Sequence, residues 1–242
     1  ITPGSSALCS GSSTVLSLTG YTGTLQWQSS ADNLTFTDIS GATSASYNTP
    51  ALTSTIYYQV IATSGVCAPA NSTTDTITVS PLSVAGSVSS ADDTLCAGST
   101  TSVAVTGSTG NIQWQSSTDN LVFADISGAT SGTYSTPALN ATMWYRAVVT
   151  SGVCTSANSA TTVVIVHPLT AITQQPFDQS TCVGGSVTFS VSANGANLNY
   201  QWFKGADTIP GAILSGYSIA TATFADSGAY SVIVSGACGT HT

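Results

Sequence analysis

The segment Gln26-Trp27-Gln28-Ser29-Ser30 recurs unchanged as Gln113-Trp114-Gln115-Ser116-Ser117, 87 positions further along the 242-residue chain. The longer stretch 23–71 matches 110–158 at the same offset without a gap. Self-similarity at a fixed period indicates a tandem array in which each repeat is one structural unit. The chain therefore contains at least two closely related modules.

A third, more diverged copy begins near Leu169. Its cysteines, Cys182 and Cys238, are 56 positions apart, against 58 in each of the first two repeats. Trp202 follows the first of them by 20 positions, against 18 for the other repeats. The linkers between repeats are short and contain proline, which favours a semi-rigid array. The predicted domains are 1–81, 82–168 and 169–242.

Alternating apolar and polar residues mark the strands of each repeat. In the first repeat Thr14, Leu16 and Leu18 share one face of a strand, and Leu25 and Trp27 share a face of the next. Such alternation indicates half-buried β-strands, and strong helix formers are scarce. The sequence therefore predicts an all-β fold. The counterparts in the other repeats are Thr101, Val103, Val105, Ile112, Trp114, Val187, Phe189, Val191, Tyr200 and Trp202.

Two motifs of the third repeat resemble those of immunoglobulin domains. Asp226-Ser227-Gly228-Ala229-Tyr230 resembles the tyrosine corner, and 185–189 followed by Trp202 resembles the segment between strands B and C. The resemblance implies a tandem array of three immunoglobulin-like β-sandwiches, the first and last incomplete at the ends of the fragment. It also implies a tyrosine corner and one core tryptophan per repeat. These residues are Asp226, Gly228 and Tyr230 for the corner, and Trp27, Trp114 and Trp202 for the cores.

The cysteines depart from the immunoglobulin pattern, since the usual family positions hold Val191 and Val232. The displaced pair resembles the immunoglobulin-like and PKD-like repeats in giant surface adhesins of Bacteroidota, of the gliding-motility and type IX-secreted kind. Six cysteines allow fifteen pairings. Their near-constant spacing favours one disulfide within each repeat, although a simple immunoglobulin topology separates the two positions. The expected bonds are Cys9–Cys67, Cys96–Cys154 and Cys182–Cys238, which indicate an extracellular or cell-surface location.

The composition excludes several classes of function. Only 5% of residues are charged, the net charge is −8, and Arg146 and Lys204 are the only basic residues. Binding to nucleic acid or to an anionic membrane requires clustered Lys and Arg. The longest apolar runs fall far short of the roughly 20 residues of a spanning helix, so no membrane insertion is expected in this segment. Because no signal peptide opens the chain, we expect a mature segment or an excised fragment of a longer array.

Few residues suggest catalysis. The histidines, His167 and His241, lie in a linker and at the end of the chain, and no nucleophile, phosphate-binding or zinc motif occurs. Paired carboxylates can serve a glycosidase or bind calcium, but we interpret them as turn residues. No enzyme activity, cofactor or metal is expected. The carboxylates considered are Asp32 with Asp38, Asp119 with Asp125, and Asp92 with Asp93.

Two surface features remain as candidates. Trp144 replaces Tyr57 and alternates outward from Tyr145, so it is the candidate surface aromatic. Three Asp-Thr-aliphatic triplets match the O-glycosylation pattern of the Bacteroidota proteins that the repeats resemble. The candidate acceptors are Thr76, Thr94 and Thr208.

The sequence favours a non-catalytic, structural or adhesive repeat segment of a secreted or cell-surface fibre or adhesin. Its expected partners are other copies or repeats of the same protein, or surface glycans and proteins. A donated strand from a neighbouring chain is expected to complete the third repeat, whose last strand is truncated. The alternative is a carbohydrate-binding accessory array of a secreted polysaccharide-degrading enzyme, which requires a row of exposed aromatic residues.

Overall fold

Apolar side chains gather into three separate clusters along the chain, around Trp27, Trp114 and Trp202. The computed structural model describes residues 1–242, which form β-strands and a single 3₁₀ turn. Each cluster is enclosed by sheets from its own part of the chain, and no sheet is shared between clusters. We call the three units the first, second and third sandwich. None of the helical structure has the length and apolar character needed to cross a lipid bilayer.

The first sandwich has two sheets. Its strands are β1 (Thr2–Pro3), β2 (Ala7–Cys9), β3 (Val15–Ser17), β4 (Thr24–Ser30), β5 (Thr37–Asp38), β6 (Ser46–Asn48), β7 (Ile56–Thr63), β8 (Ala70–Asn71) and β9 (Asp75–Ser80). One sheet has the order β1-β3-β6, and the other has the order β2-β9-β7-β4-β5 with β8 beside β7. Strand β2 runs parallel to β9, whereas the other pairs are antiparallel.

The second sandwich repeats this topology, as expected from the similarity of its sequence to the first. Its strands are β10 (Ser87–Ser90), β11 (Thr94–Cys96), β12 (Ser102–Thr106), β13 (Asn111–Ser117), β14 (Ala124–Asp125), β15 (Thr133–Ser135), β16 (Met143–Thr150), β17 (Ala157–Asn158) and β18 (Thr162–His167). The sheets have the orders β10-β12-β15 and β11-β18-β16-β13-β14, with β17 beside β16. Strands β11 and β18 form the parallel pair.

The third sandwich has smaller sheets. Its elements are β19 (Ala171–Gln174), β20 (Val187–Ser190), β21 (Ser192–Asn194), β22 (Asn199–Lys204), β23 (Asp207–Thr208), β24 (Gly216–Ile219), the 3₁₀ turn η1 (Phe224–Asp226), β25 (Tyr230–Gly236) and β26 (Gly239–His241). The sheets are β19-β21, β20-β24 and β23-β22-β25-β26. The segment around Cys182 is not a strand, unlike β2 and β11 at the corresponding places.

Each core is built on a buried tryptophan. The side chain of Trp114 is fully buried, and its indole N–H donates to the carbonyl oxygen of Ser131 over 2.8 Å. Trp27 makes the same bond to Ser44, and Trp202 bonds Leu214. A buried indole is stabilised when its N–H finds an acceptor, so one backbone loop is fixed against each tryptophan.

Candidate functional site at the domain junctions

The first two sandwiches are joined by a disulfide as well as by their peptide linker. Cys9 is bonded to Cys154, with 5.2 Å between their Cα atoms and 145 positions between them in sequence. Cys9 ends β2, where its partner in the parallel register is Ser80, the last residue of β9. Cys9 therefore lies beside the start of the linker, which follows Ser80.

The loop that carries Cys154 packs directly against this linker. The backbone N–H of Ser151 donates to Ser83 Oγ over 2.9 Å, and Cys154 Sγ lies 3.2 Å from the carbonyl oxygen of Pro81. Gly152 has a positive φ of 53°, and a Cβ atom there would overlap the side chain of Ser80. Glycine is thus required twice, for its backbone conformation and for this close approach.

The second junction has the same construction. Cys96 ends β11 beside His167, the last residue of β18, and is bonded to Cys238 with 5.5 Å between Cα atoms. The backbone N–H of Thr170, in the linker, donates to the carbonyl oxygen of Cys238 over 3.1 Å. A Cβ atom on Gly236 would come within 2.6 Å of Thr170 Oγ1. Both junctions therefore join a linker, a glycine-containing loop and a disulfide.

These two bonds overturn the prediction of one disulfide within each repeat. We call the first cysteine of each repeat the leading cysteine and the second the trailing cysteine. A leading cysteine bonds the trailing cysteine of the next sandwich. The remaining two, Cys67 and Cys182, are free and exposed. The leading cysteines are Cys9, Cys96 and Cys182, and the trailing cysteines are Cys67, Cys154 and Cys238.

Strand length explains why the expected pairing fails. Ile56, at the start of β7, pairs with Ile77 of β9. Cys9 pairs with Ser80, which lies further along β9 and past that end of β7. Cys67 follows the other end of β7, which has eight residues. A strand of eight residues spans about 25 Å at 3.3 Å per residue, whereas a disulfide requires Cα atoms within about 7 Å. The two cysteines of one repeat therefore lie at opposite ends of the sandwich.

The paired carboxylates have separate partners, with Asp32 in a turn and Asp38 at the end of β5. The carboxylate of Asp32 accepts hydrogen bonds from the backbone N–H groups of Leu34 and Thr35, each over 2.8 Å, and from Ser30 Oγ. Asp38 instead accepts from Gln28 Nε2. The bonds from Thr35, Leu34 and Ser30 lower the pKa of Asp32 to about 2. These bonds give its carboxylate the role of a turn-stabilising acceptor.

The equivalent turn of the second sandwich has the same bonds. The carboxylate of Asp119 accepts from the backbone N–H groups of Leu121 and Val122 and from Ser117 Oγ, and these bonds lower its pKa. Asp125 accepts from Gln115. Asp92 and Asp93 accept from the hydroxyl groups of Thr101 and Ser90 respectively. No group of three or more His, Cys, Asp or Glu side chains converges on a possible metal position.

The predicted tyrosine-corner motif of the third sandwich, residues 226–230, forms a compact turn. The hydroxyl group of Tyr230 donates to the backbone carbonyl of Asp226 over 2.9 Å. The Asp226 carboxylate accepts from the hydroxyl and backbone N–H of Thr223, and these bonds lower its pKa. Gly228 has a positive φ of 150°. Beside this corner lies a cavity of about 600 Å³. Its lining includes Cys182, Val183, Val187, Phe189, Phe224 and Tyr230.

The other candidates are dispersed. Trp144 is half-buried in β16, next to Val163 of β18 in register, and no other tryptophan has exposed surface. Thr94 and Thr208 are exposed, whereas Thr76 is half-buried in β9. The structure does not bring these residues together. Sequence reasoning missed the roles of Gly152 and Ser80, although the serine-glycine-x-cysteine motif ahead of Cys154 was a signal for a special loop.

Comparisons with known proteins agree with this architecture. The family described as "Domain of unknown function (DUF8696)" matches residues 1–81 and 84–168. No curated protein sequence matches the chain. Among solved structures, titin domains I67–I69, in an E-to-A mutated variant, share 15% identity at a TM-score of 0.71, over 97% of this chain and 92% of that one.

A second solved structure is similar at comparable coverage. It is the complex of Dpr2 Ig1–Ig2 with DIP-Theta Ig1–Ig3, which matches with a TM-score of 0.56 and 13% identity over 99% of this chain and 96% of that one. At these identities the similarity shows the fold alone. The chain is an all-β tandem of three immunoglobulin-like sandwiches, as predicted.

Proposed function

The chain belongs to the family described as "Domain of unknown function (DUF8696)", and we propose that it is a non-catalytic spacer in a secreted or cell-surface fibre or adhesin. The observation that carries this proposal is the double connection at each junction. Consecutive sandwiches are joined by a linker and by a disulfide beside it. A junction held at two points cannot rotate freely about one peptide, so the array resists bending and twisting.

The disulfides also support an extracellular location. Disulfides persist in oxidising compartments and are rare in the cytosol. We infer a parent protein of the adhesin kind found in gliding Bacteroidota, supported by the resemblance of the repeats' motifs. The proposed modules are 1–81, 82–168 and 169–242. Each linker then lies inside a junction, where the contacts of Ser83 and Thr170 hold it.

Solution scattering tests the spacer directly. We expect one well-defined maximum dimension for the wild-type chain and a broad distribution for the double variant Cys9→Ser/Cys96→Ser, which keeps the linkers but loses both disulfides. The matched control is Cys67→Ser/Cys182→Ser, which removes two cysteines and neither disulfide. Equal flexibility of the wild-type chain and the Cys9→Ser/Cys96→Ser variant would contradict the proposal.

Glycosylation belongs to the same proposal. Thr94 and Thr208 are exposed on different sandwiches, in a chain with 5% charged residues, and hydroxyl-linked glycans would add a hydrated layer to such a surface. Intact-mass measurement of the protein from its native source tests this. For residues 1–242 expressed in that source as a separate fragment, a mass above 24.2 kDa that falls when Thr94→Val and Thr208→Val are introduced is expected, and the bare mass would refute it.

A further inference from the structure

The two free cysteines are equivalent to cysteines that form the junctions. Each disulfide joins the leading cysteine of one sandwich to the trailing cysteine of the next, as in Cys9–Cys154 and Cys96–Cys238. This shifted pairing leaves one trailing cysteine, Cys67, on the first sandwich and one leading cysteine, Cys182, on the third. The two unpaired residues are therefore one trailing and one leading cysteine, the combination that is bonded at both junctions.

The loop around Cys67 corresponds in sequence and backbone conformation to the loop at the first junction. Its sequence, Thr63-Ser64-Gly65-Val66-Cys67, is identical to 150–154. The backbone also has the same form, since φ is 55° at Gly65 and 53° at Gly152. The surroundings differ, because Gly152 touches Ser80 of the preceding sandwich and Gly65 has open space around it. The glycine of the free loop thus already has the φ angle of its docked counterpart.

Burial gives an independent measure of this difference. Cys154 and Cys238 are buried in their junctions, whereas Cys67 is exposed. Val66 is fully exposed at 105%, and its equivalent Val153 falls to 60%. Because the two loops have the same sequence, the covering surface accounts for the change. That surface consists of the last residue of β9, the linker that follows it and the leading cysteine Cys9.

The third sandwich carries such a cysteine at the corresponding place. Cys182 lies on an exposed segment and lines the cavity of about 600 Å³ beside Tyr230. Its neighbours Val183 and Phe224 are 60% and 88% exposed. An apolar and accessible rim around a free thiol favours contact with another protein surface.

We propose that Cys67 of one copy forms a disulfide with Cys182 of a second copy, so that copies join head to tail through the pairing of leading and trailing cysteines already present twice in the chain. The contact is heterologous, since two different surfaces meet. The assembly then keeps one free cysteine at each end, so further copies can be added to form an open filament. The inference rests on the proposed spacer and gives its partner, a second copy of this chain.

Thiol–disulfide exchange with glutathione disulfide makes the bond. The thiolate of Cys182 attacks one sulfur of glutathione disulfide, which forms a mixed disulfide and releases one glutathione thiolate. The thiolate of Cys67 on the second copy then attacks Cys182 Sγ and releases the other glutathione. Two cysteine thiols are oxidised and one glutathione disulfide is reduced to two glutathiones.

Complementary single variants test the pairing. The Cys67→Ser variant keeps only Cys182 free, and the Cys182→Ser variant keeps only Cys67 free. Each is incubated with glutathione disulfide, alone and mixed with a mass-labelled sample of the other, and then analysed by non-reducing electrophoresis and intact mass. We expect the mixture to form mixed dimers and no larger species, and the wild-type chain to form a ladder of multimers.

Contact between the folded surfaces around Cys67 and Cys182 is expected to favour mixed dimers over same-variant dimers, beyond the reactivity of the thiols alone. Mixed dimers should exceed the same-variant dimers by about tenfold or more, because docking raises the effective concentration of the matching thiol. In urea this preference should disappear. Dimers formed by either variant alone in equal yield, or a wild-type chain that stays monomeric with glutathione on both cysteines, would overturn the inference. The internal disulfides Cys9–Cys154 and Cys96–Cys238 are mapped on the same samples. Their absence would contradict the proposed spacer, whereas their presence without mixed dimers would contradict only the pairing of Cys67 with Cys182.

Discussion

Gly152 and Ser80 approach so closely that a Cβ atom on the glycine would overlap the serine side chain, although they belong to different sandwiches. The contact lies beside the Cys9–Cys154 disulfide and the hydrogen bond from the Ser151 N–H to Ser83 Oγ. The fit between loop and linker therefore depends on one position without a side chain. It links the local backbone conformation of the second sandwich to the geometry of the junction.

Substitution of this glycine should loosen the junction. Gly152→Ala adds a clash with Ser80 to the cost of about 1–2 kcal/mol for a left-handed backbone at a residue with a Cβ atom. The clash should add about 1–3 kcal/mol, as overpacking does. We expect the Ser151 amide to lose its protection from hydrogen exchange. The readout is specific to the junction, since that amide donates across it.

Gly65→Ala is the matched control. Its φ of 55° gives the same backbone cost, but a Cβ atom there meets nothing within 4 Å. The Ser151 amide should therefore exchange as slowly in this variant as in the wild-type chain. Equal loss of protection in both variants would show that backbone strain, and not the contact with Ser80, explains the result.

The disulfide pattern can be tested with trypsin because the chain has only two cleavage sites. Cleavage after Arg146 and Lys204 gives fragments 1–146, 147–204 and 205–242. With the observed pairing, the first fragment holds both others. After denaturation without reduction and with free thiols blocked, Cys9→Ser should release 147–204, as detected by mass spectrometry.

Cys182→Ser supplies the contrast. It should release nothing, because Cys182 is free. Disulfides within each repeat would give the opposite pattern, with 205–242 released from the Cys182→Ser variant and all fragments retained in the Cys9→Ser variant. The two variants together therefore distinguish the pairings without any assumption about their relative stability.

The contrast between modules and disulfides shows which features could be predicted from the sequence. The strands and the tryptophan environments follow from local alternation, so the all-β sandwiches could be predicted. The pairing of Cys9 depends on which end of the sandwich it occupies and on the sandwich stacked there. In an array with a period of about 87 a shifted pairing is as regular as an internal one, so the near-constant spacing of 58, 58 and 56 could not distinguish them. The close contact of Gly152 depends on the same stacking.

Acid should destabilise the first sandwich through its Asp32 turn. Backbone N–H groups of Thr35 and Leu34 donate to the carboxylate and lower its pKa from 3.8 to about 2. A pKa lower in the folded than in the unfolded chain means that the ionised form stabilises the fold. This contribution is complete above about pH 4 and is lost as the pH falls toward about 2.

Asp32→Asn should flatten this dependence of the melting temperature between about pH 2 and pH 4. The control is Thr35→Ala, since Thr35 contributes its backbone N–H to the carboxylate and the substitution keeps that donor. It should retain the wild-type slope. A wild-type slope in the Asp32→Asn variant would show that the turn does not contribute to acid stability.

The two tryptophans of the second sandwich should differ sharply in their effect on stability. Trp114 is fully buried and donates to the Ser131 carbonyl, whereas Trp144 is half-buried in β16. Trp114→Phe removes that donor and leaves the carbonyl unsatisfied, at a cost of about 1–3 kcal/mol. The smaller ring adds about 1 kcal/mol for lost packing. Because Trp144 makes no such bond to a buried acceptor, Trp144→Phe should change the free energy of unfolding by no more than about 1 kcal/mol. Denaturation followed by the amide signals of β13 and β16 measures both in the same module, and equal losses would contradict the core role of Trp114.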